Sequence, residues 1–257
     1  MYAERIKIGS ERMQMKLFRS LVIIILLIAM VISILACGQE SAKTVQNTFT
    51  FDTDEEGWSG GFADLPVDHE QQGYDVSFSH EEVPVPDAES NGLFITGNNH
   101  SDDLFMYIVR GFGLEDDLKA DTQYSVKLSF KMATEVPPGM MGIGGSPGES
   151  VYIKAGVINK KPESIEQSGN YVMNINKGSQ SQGGTDATVL GDAAKGEGPG
   201  QDDQTFRYKN FELSKEVTTD SEGRIWIIIG ADSGFEGITR LYFDNISATF
   251  DPIVLDD

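Results

Sequence analysis

Gln123-Tyr124-Ser125-Val126-Lys127-Leu128-Ser129-Phe130-Lys131-Met132 alternates apolar and polar side chains from end to end. A period of two places alternate side chains on opposite faces of an extended chain, so the stretch reads as a half-buried antiparallel strand. Tyr124, Val126, Leu128, Phe130 and Met132 would then face a core. Shorter runs of the same kind lie at Thr48–Asp52, Asp75–Ser79, Gly92–Thr96, Leu104–Val109, Val151–Val157, Tyr171–Ile175 and Phe206–Leu213. Ile225–Ile229 (IWIII) is apolar at every position, which predicts a central strand covered on both faces. In Thr239–Phe250, Leu241 and Phe243 keep one phase while Ile246, Ala248 and Phe250 keep the other, so a β-bulge is expected at Asp244-Asn245.

No helical run interrupts these segments, and the turns between them are rich in Gly, Asp, Asn and Pro. The fold class is therefore all-β, a jelly-roll sandwich of two antiparallel sheets. Its loops are longer and less regular than those of an up-and-down barrel. Long loops are expected at Gly57–Gly73, Glu81–Asn91, Glu135–Ser150, Asn159–Asn170 and Asp192–Asp203, and the last (DAAKGEGPGQDD) shows no residue able to anchor it in a core.

The chain has 257 residues, with 40 acidic and 20 basic side chains, for a net charge of −20. That excess excludes nucleic-acid binding and docking on anionic lipid through a basic face, because most of the surface would repel the partner. One cysteine excludes a disulfide framework.

Leu21–Ala36 (LVIIILLIAMVISILA) carries no charge, follows Lys16 and Arg19, and ends at the single cysteine, Cys37. The run is short for a membrane span and has the layout of a secretory signal. Ile34-Leu35-Ala36-Cys37 resembles the bacterial lipobox. The resemblance implies cleavage before Cys37, acylation of its thiol and an extracytoplasmic domain held to a membrane through the acyl chains. Met15 would serve as the start codon as well as Met1. Residues 1–36 hold five basic and two acidic side chains, so cleavage takes the net charge from −20 to −23. The expected organisation is residues 1–36 extension and signal peptide, 37–47 lipidated cysteine and tether, and 48–252 the β-sandwich. Gly38 after the cysteine is not an aspartate-type inner-membrane retention signal, so the expected address is the outer membrane or the cell surface.

Two loops concentrate polar chemistry. Asn98, Asn99, His100, Asp102 and Asp103 fill one turn between apolar strands, and Asp232, Phe235 and Glu236 follow the IWIII segment. Such side chains hydrogen-bond sugar hydroxyls, coordinate calcium through Asp102 and Asp103, or let His100 act as a base beside a carboxylate; the same turn also reads as an Asn/Asp-rich turn satisfying its own backbone. Asp52-Thr53-Asp54-Glu55-Glu56-Gly57 spaces oxygen ligands as a calcium loop does, but Ala63 stands where an EF-hand has Glu, and a solvated acidic turn is the competing reading. Gly142–Ser150 has no P-loop lysine and precedes a strand, which excludes nucleotide binding. His69, His80 and His100 show no H-E-x-x-H spacing, and no catalytic residue is assigned. For sugar stacking the loop aromatics Phe62, Tyr74 and Phe235 are the candidates, with Trp58 and Trp226 expected in the core.

Phe49-Thr50-Phe51-Asp52 with Gly57-Trp58 at one end, and Leu241-Tyr242-Phe243-Asp244-Asn245-Ile246 at the other, resemble the first and last strands of the jelly-roll carbohydrate-binding-module and galactose-binding-like superfamily. The resemblance implies that opening and closing strands pair, and that a structural calcium sits beside Asp52 and Asp244, with Asp54 adjacent. It also implies a carbohydrate or envelope glycan as ligand. A polysaccharide hydrolase or lyase on the same scaffold, and a structural envelope lipoprotein, are the alternatives.

Overall fold

The computed structural model describes residues 42–101, 103–198 and 201–254. The signal segment, Cys37 and Asp102 lie outside the described residues. In chain order the strands are β1 Val45–Phe49, β2 Ser59–Ala63, β3 Leu65–Pro66, β4 Ser77–Glu82, β5 Asn91–Asn98, β6 Leu104–Phe112, β7 Gln123–Thr134, β8 Val151–Ile158, β9 Ser164–Gln167, β10 Asn170–Met173, β11 Thr188–Asp192, β12 Arg207–Thr218, β13 Ile225–Ser233 and β14 Ile238–Pro252. One turn of 3-10 helix, Leu114–Asp116, is the only helical element among the described residues.

Sheet A runs β12-β7-β14-β5-β4, and β1 also pairs with β14, next to the half that β5 does not reach. Sheet B runs β11-β8-β13-β6-β2, and β3-β10-β9 form a small third sheet. All pairings are antiparallel. The alternation at Gln123–Met132 becomes β7, whose Tyr124, Val126, Leu128, Phe130 and Met132 are all buried between sheets A and B. Leu241, Phe243, Ile246, Ala248 and Phe250 of β14 meet Ile153, Ala155 and Val157 of β8 and Ile227 and Ile229 of β13 in the same core. Removing one such ring, as in Phe130→Ala, costs about 3–5 kcal/mol through lost burial and the cavity left behind.

The opening and closing strands do pair, Val45 with Phe250 through Phe49 with Ile246. The register of β14 against β7 shifts between Asp244 and Ser247, with Asn245 at φ 49°, so the bulge lies where the phase slip placed it. Ile225–Ile229 is covered on both faces: Ile225, Ile227 and Ile229 enter the core, and Ile228 packs on the other side with Ile175 and Met173. Trp58 is buried as expected. Trp226 is not in the main core; it is half-buried on that second face, with the Arg224 guanidinium 5.6 Å from its ring.

Three segments expected to be loops are structured differently. Gly57–Gly73 contains β2 and β3, and Asn159–Asn170 contains β9. The glycines of β2 mark close packing, because a Cβ at Gly60 would stand 2.2 Å from the Phe78 ring and one at Gly61 2.4 Å from Tyr107. The Asp192–Asp203 loop is anchored after all. Ala193 and Ala194 are buried, and the buried Lys195 ammonium donates to Asp203 and to the Thr205 carbonyl. β1 also starts and ends earlier than Thr48–Asp52, since Phe51 turns inward at φ 58° and is fully buried.

Candidate functional site

Pairing of Asn98 with Ile238 and of Leu104 with Ser233 sets the Asn98–Asp103 turn beside the loop after β13. The two loops that sequence reading singled out are therefore neighbours. Their polar groups, however, are largely spent on each other. The Asn99 side chain is buried; its amide donates to the carbonyls of Ser233 (3.0 Å) and Phe235 (3.1 Å), and its oxygen accepts from Ser101 N. Asn98 Nδ2 donates to Gly73 O, and His100 Nε2 lies 2.8 Å from Gly73 O and 2.9 Å from Asn98 Nδ2. The base nitrogen of His100 thus serves the turn. Phe235 is wedged beneath Gly142 and Gly237, and the Glu236 backbone is tied to Ile143. Tyr74, a candidate stacking ring, is 2% exposed and bonds Ser101 through its hydroxyl. Phe62 packs against the core.

Asp103 and Asp232 turn instead to the outer face of sheet B, beneath the segment 174–187. Asp232 Oδ2 accepts from Lys154 Nζ (2.7 Å), Lys177 Nζ (2.8 Å) and Gln180 N (3.0 Å). Lys177 also pairs with Asp64 at 2.7 Å and lies 4.8 Å from the Phe105 ring, while Lys154 Nζ donates to the carbonyls of Lys177 and Gln182. Three carboxylates and two ammonium groups leave one negative charge in a largely buried site, and one proton neutralises it. Burial first, then the hydrogen bond to Asp232 and its charge, push Asp103 up to about 8. Burial would raise Asp232 too, but Lys177 and the hydrogen bonds from Asp103, Lys154 and Lys177 hold it below the usual carboxylate range. Asp64, Asp103 and Asp232 are the one carboxylate group among the described residues with ligand atoms within 4.8 Å of one another, and the Lys177 ammonium already bonds two of its members. The arrangement is a neutralised internal cluster. Lys154, 1% exposed, is out of reach of any substrate proton.

The residues proposed from sequence as calcium ligands are not gathered into one such group. Asp54 caps the Glu56 amide at 2.7 Å, and Asp52 accepts from Thr50 Oγ1 at 2.9 Å. Asp244 is fully buried; its Oδ2 accepts from Tyr208 Oη (2.5 Å) and Ser90 Oγ (3.2 Å), and its Oδ1 from Asn245 N. Two Gly-x-Ser-x-Gly strings, Gly57–Gly61 and Gly144–Gly148, carry no nucleophile elbow, since neither leads into a helix and Ser146 Oγ donates to Glu149.

A partly exposed assembly of aromatic and polar groups is one that sequence reading missed. On the outer face of sheet A, Tyr242 of β14 lies between Phe94 of β5 and Ala133 of β7, whose other neighbour is Tyr208 of β12. The rings of Phe94 and Tyr242 are 4.6 Å apart, and Phe206 stands edge-on to Tyr242 at 5.4 Å. Lys131 Nζ lies 5.1 Å from the Tyr208 ring. All four rings are partly exposed. The β4–β5 loop reaches across this row, Ser90 Oγ lying 2.9 Å from Tyr208 Oη, and with β12 it encloses a pocket of about 460 Å³ lined by Val85, Pro86, Phe206, Arg207 and Tyr208 among others. Along the same face toward β1 the sheet offers Lys127, Ser129, Glu212, Ser214, Ser247 and Thr249 around a second, smaller depression. Burial and the hydrogen bond to Asp244 push the Tyr208 hydroxyl well above its ordinary range, so it stays a donor. The signal was present in the sequence: Leu93-Phe94-Ile95 and Leu241-Tyr242-Phe243 each place a ring on the solvent phase between two core residues.

No family model matches the chain, and no curated protein matches it. Solved structures similar to it include the mannan-recognising carbohydrate-binding module TmCBM27 (14% identity, TM-score 0.36, covering 81% of this chain and 98% of that one). A xylan-binding domain from CBM 22 is similar at 10% identity and TM-score 0.39, over 81% of this chain and 96% of the other. The enzymatically active domain of bacteriophage CBA120 tailspike protein 4 is similar at 13% identity and TM-score 0.36; 79% of this chain is covered, and it spans 20% of the tailspike.

Proposed function

We propose that the chain is a lipid-anchored, extracytoplasmic binding module that takes a carbohydrate or cell-envelope glycan on the outer face of sheet A. The observation that carries the reading is the row of partly exposed rings, Phe94, Tyr242, Phe206 and Tyr208, beside a pocket and a field of hydroxyl and charged groups. The apolar face of a pyranose covers a ring face, and its hydroxyls need polar partners at the ring's edge; this surface supplies both. Solvent-facing positions of an ordinary antiparallel sheet need no adjacent rings. The anchor rests on Cys37 directly after an uncharged sixteen-residue run.

The test is retention of the detergent-solubilised full chain on immobilised mannan, xylan, galactan and peptidoglycan, each with calcium and with chelator. Retention on one of them that Tyr242→Ala abolishes supports the module. Retention untouched by Tyr242→Ala moves the site elsewhere, and retention on none removes the reading. Incorporation of radiolabelled palmitate, lost in Cys37→Ala, tests the anchor separately.

A further inference from the structure

Lys154 of β8 stands opposite Gly230 of β13, and Asp232, two residues further along β13, stands opposite Tyr152, so the two side chains are diagonal neighbours on the outer face of sheet B. Lys154 Nζ touches Asp232 Oδ2 at 2.7 Å, and both side chains are 0% exposed. Phe105 of β6, the cross-strand partner of Asp232, walls the pair; a Cβ on Gly230 would stand 2.6 Å from its ring. A primary amine and a carboxyl group on two strands are thus held in contact where neither has surface open to solvent.

Asp103, from the turn before β6, completes the set. It is hydrogen-bonded to Asp232, and the Oδ1 atoms of both residues are buried with no N–H or hydroxyl donor of the protein to satisfy them. Two carboxyl groups bonded to each other share one proton. At the other oxygen, Asp232 Oδ2 also accepts from Lys177 Nζ at 2.8 Å and from Gln180 N at 3.0 Å. The two lysines differ. Burial wins at Lys154 and pushes its ammonium below the ordinary lysine range, whereas at Lys177 burial is outweighed by the charges of Asp232 and Asp64, which hold it above that range. Asp232 is therefore flanked by an amine that gives up its proton readily, a fixed cation and a carboxylic acid.

We propose that Lys154 and Asp232 react with each other to form an amide bond that cross-links β8 to β13, with Asp103 as the acid that shuttles the proton. The ion pair seen in the structure is the reactant. Nζ gives up one proton to the carboxylate and then attacks Cγ as a neutral amine, forming the C–N bond. Lys177 and the Gln180 N–H stabilise the charge that develops on Oδ2. Asp103 passes its proton to Oδ1, which leaves as water when the Cγ–Oδ1 bond breaks, and takes one back from the nitrogen. Of the three hydrogens on Nζ, one stays on the amide and two leave in the water. Asp103 ends as it began, nothing is oxidised or reduced, and no co-reactant is required. Two opposite charges vanish together, so the cluster stays neutral with Lys177 and Asp64 as its remaining ion pair. In water such a pair stays ionised because hydration favours the ions, an advantage lost where both are buried. Holding the two groups in contact supplies an effective concentration of up to about 10⁵–10⁸ M.

The experiment is peptide mass spectrometry of the detergent-solubilised full chain, unfolded and digested with trypsin after incubation at neutral pH. Trypsin is expected to miss the site after Lys154, and the peptide containing Lys154 should be joined to the one containing Asp232, at the sum of the two masses less one water. Lys154→Met should abolish the joined species. Asp103→Asn, which keeps a donor toward Asp232, should leave most of the chain unlinked at the time the wild type is complete, and a near-ultraviolet circular dichroism spectrum matching the wild type shows that this variant is folded. Separate peptides from the wild type, with cleavage after Lys154, overturn the proposal. A cross-link through Lys177 overturns the choice of nucleophile, and full linkage in Asp103→Asn overturns the role of the acid.

Discussion

Lys154 Nζ lies 2.7 Å from Asp232 Oδ2, and neither side chain has any surface open to solvent. The pair sits on the outer face of sheet B, where an uncovered sheet would present polar groups to water. Here segment 174–187 closes over it, and Lys154 returns hydrogen bonds to the carbonyls of Lys177 and Gln182 in that segment. The ion pair and its cover hold each other in place.

Breaking the pair from one side leaves a buried charge. Asp232→Leu is expected to lower stability by about 3–5 kcal/mol. Replacing both partners, Lys154→Met with Asp232→Leu, should cost less than the sum of the two single changes, because no lone charge is stranded. Guanidinium unfolding of the four proteins checks this through their midpoints at constant slope.

Asp103 gives the cluster its pH dependence. Its folded-state value of about 8 stands above its ordinary 3.8, so between those limits the folded chain holds a proton that the unfolded chain has released. Raising the pH through that window therefore favours unfolding, by up to about 1.4 kcal/mol per pH unit for this one group. The contribution is complete below pH 3.8 and gone above about 8. Stability measured from pH 5 to 9 should fall with this slope as far as about pH 8 and level off beyond it, and Asp103→Asn, which keeps a donor toward Asp232, should flatten it. A wild-type profile that is level across the window contradicts the proton assignment.

The aromatic row predicts a separation of binding from folding. Tyr242→Ala and Phe206→Ala should each lower glycan affinity by tenfold or more, as removal of a stacking ring does at a binding surface. Their cost in stability should stay near the 0.5–1.5 kcal/mol of an exposed ring pair. Calorimetric titration and thermal unfolding of the same samples give both numbers.

At Gly156 the cover lies close against sheet B. A Cβ at this position would meet the Asp186 carbonyl oxygen at 2.2 Å. Gly156→Ala must push segment 174–187 away and is expected to cost about 1–3 kcal/mol. Faster amide hydrogen exchange at Gln180 and Asp186, with exchange in β7 unchanged, would show that the loss is local to the cover.

The architecture was readable because a period of two survives in β5, β7, β8 and β14, and because the phase slip at Asp244-Asn245 is recorded in the chain itself. β2 was illegible for a physical reason: Gly60 and Gly61 have no side chain to alternate, and what makes them a strand is the Phe78 and Tyr107 rings of other strands pressed against them. The site was legible only in part. The Asn98 and Asp232 loops do meet, but from a list of polar residues nothing distinguishes a group that faces a ligand from one, such as Asn99, that ties two loops together. Phe94 and Tyr242 were hidden by their neighbours, since an aromatic inside an apolar strand reads as core until the pairing assigns it a face.

The pairing of β1 with β14 also fixes how the domain bears load. The chain comes into the sandwich at Val45 opposite Phe250, while the ring row crosses the same strand at Tyr242, eight residues away, or about 26 Å at strand rise. A pull on the chain at Val45 against a ligand held at the row is directed along the strands. The ladder from Val45 to Phe49 would then be stressed in shear, with its hydrogen bonds loaded side by side instead of opened one after another like a zip. If the proposed anchor and the proposed ligand pull from these two ends, the domain is arranged to resist separation of β1 from β14.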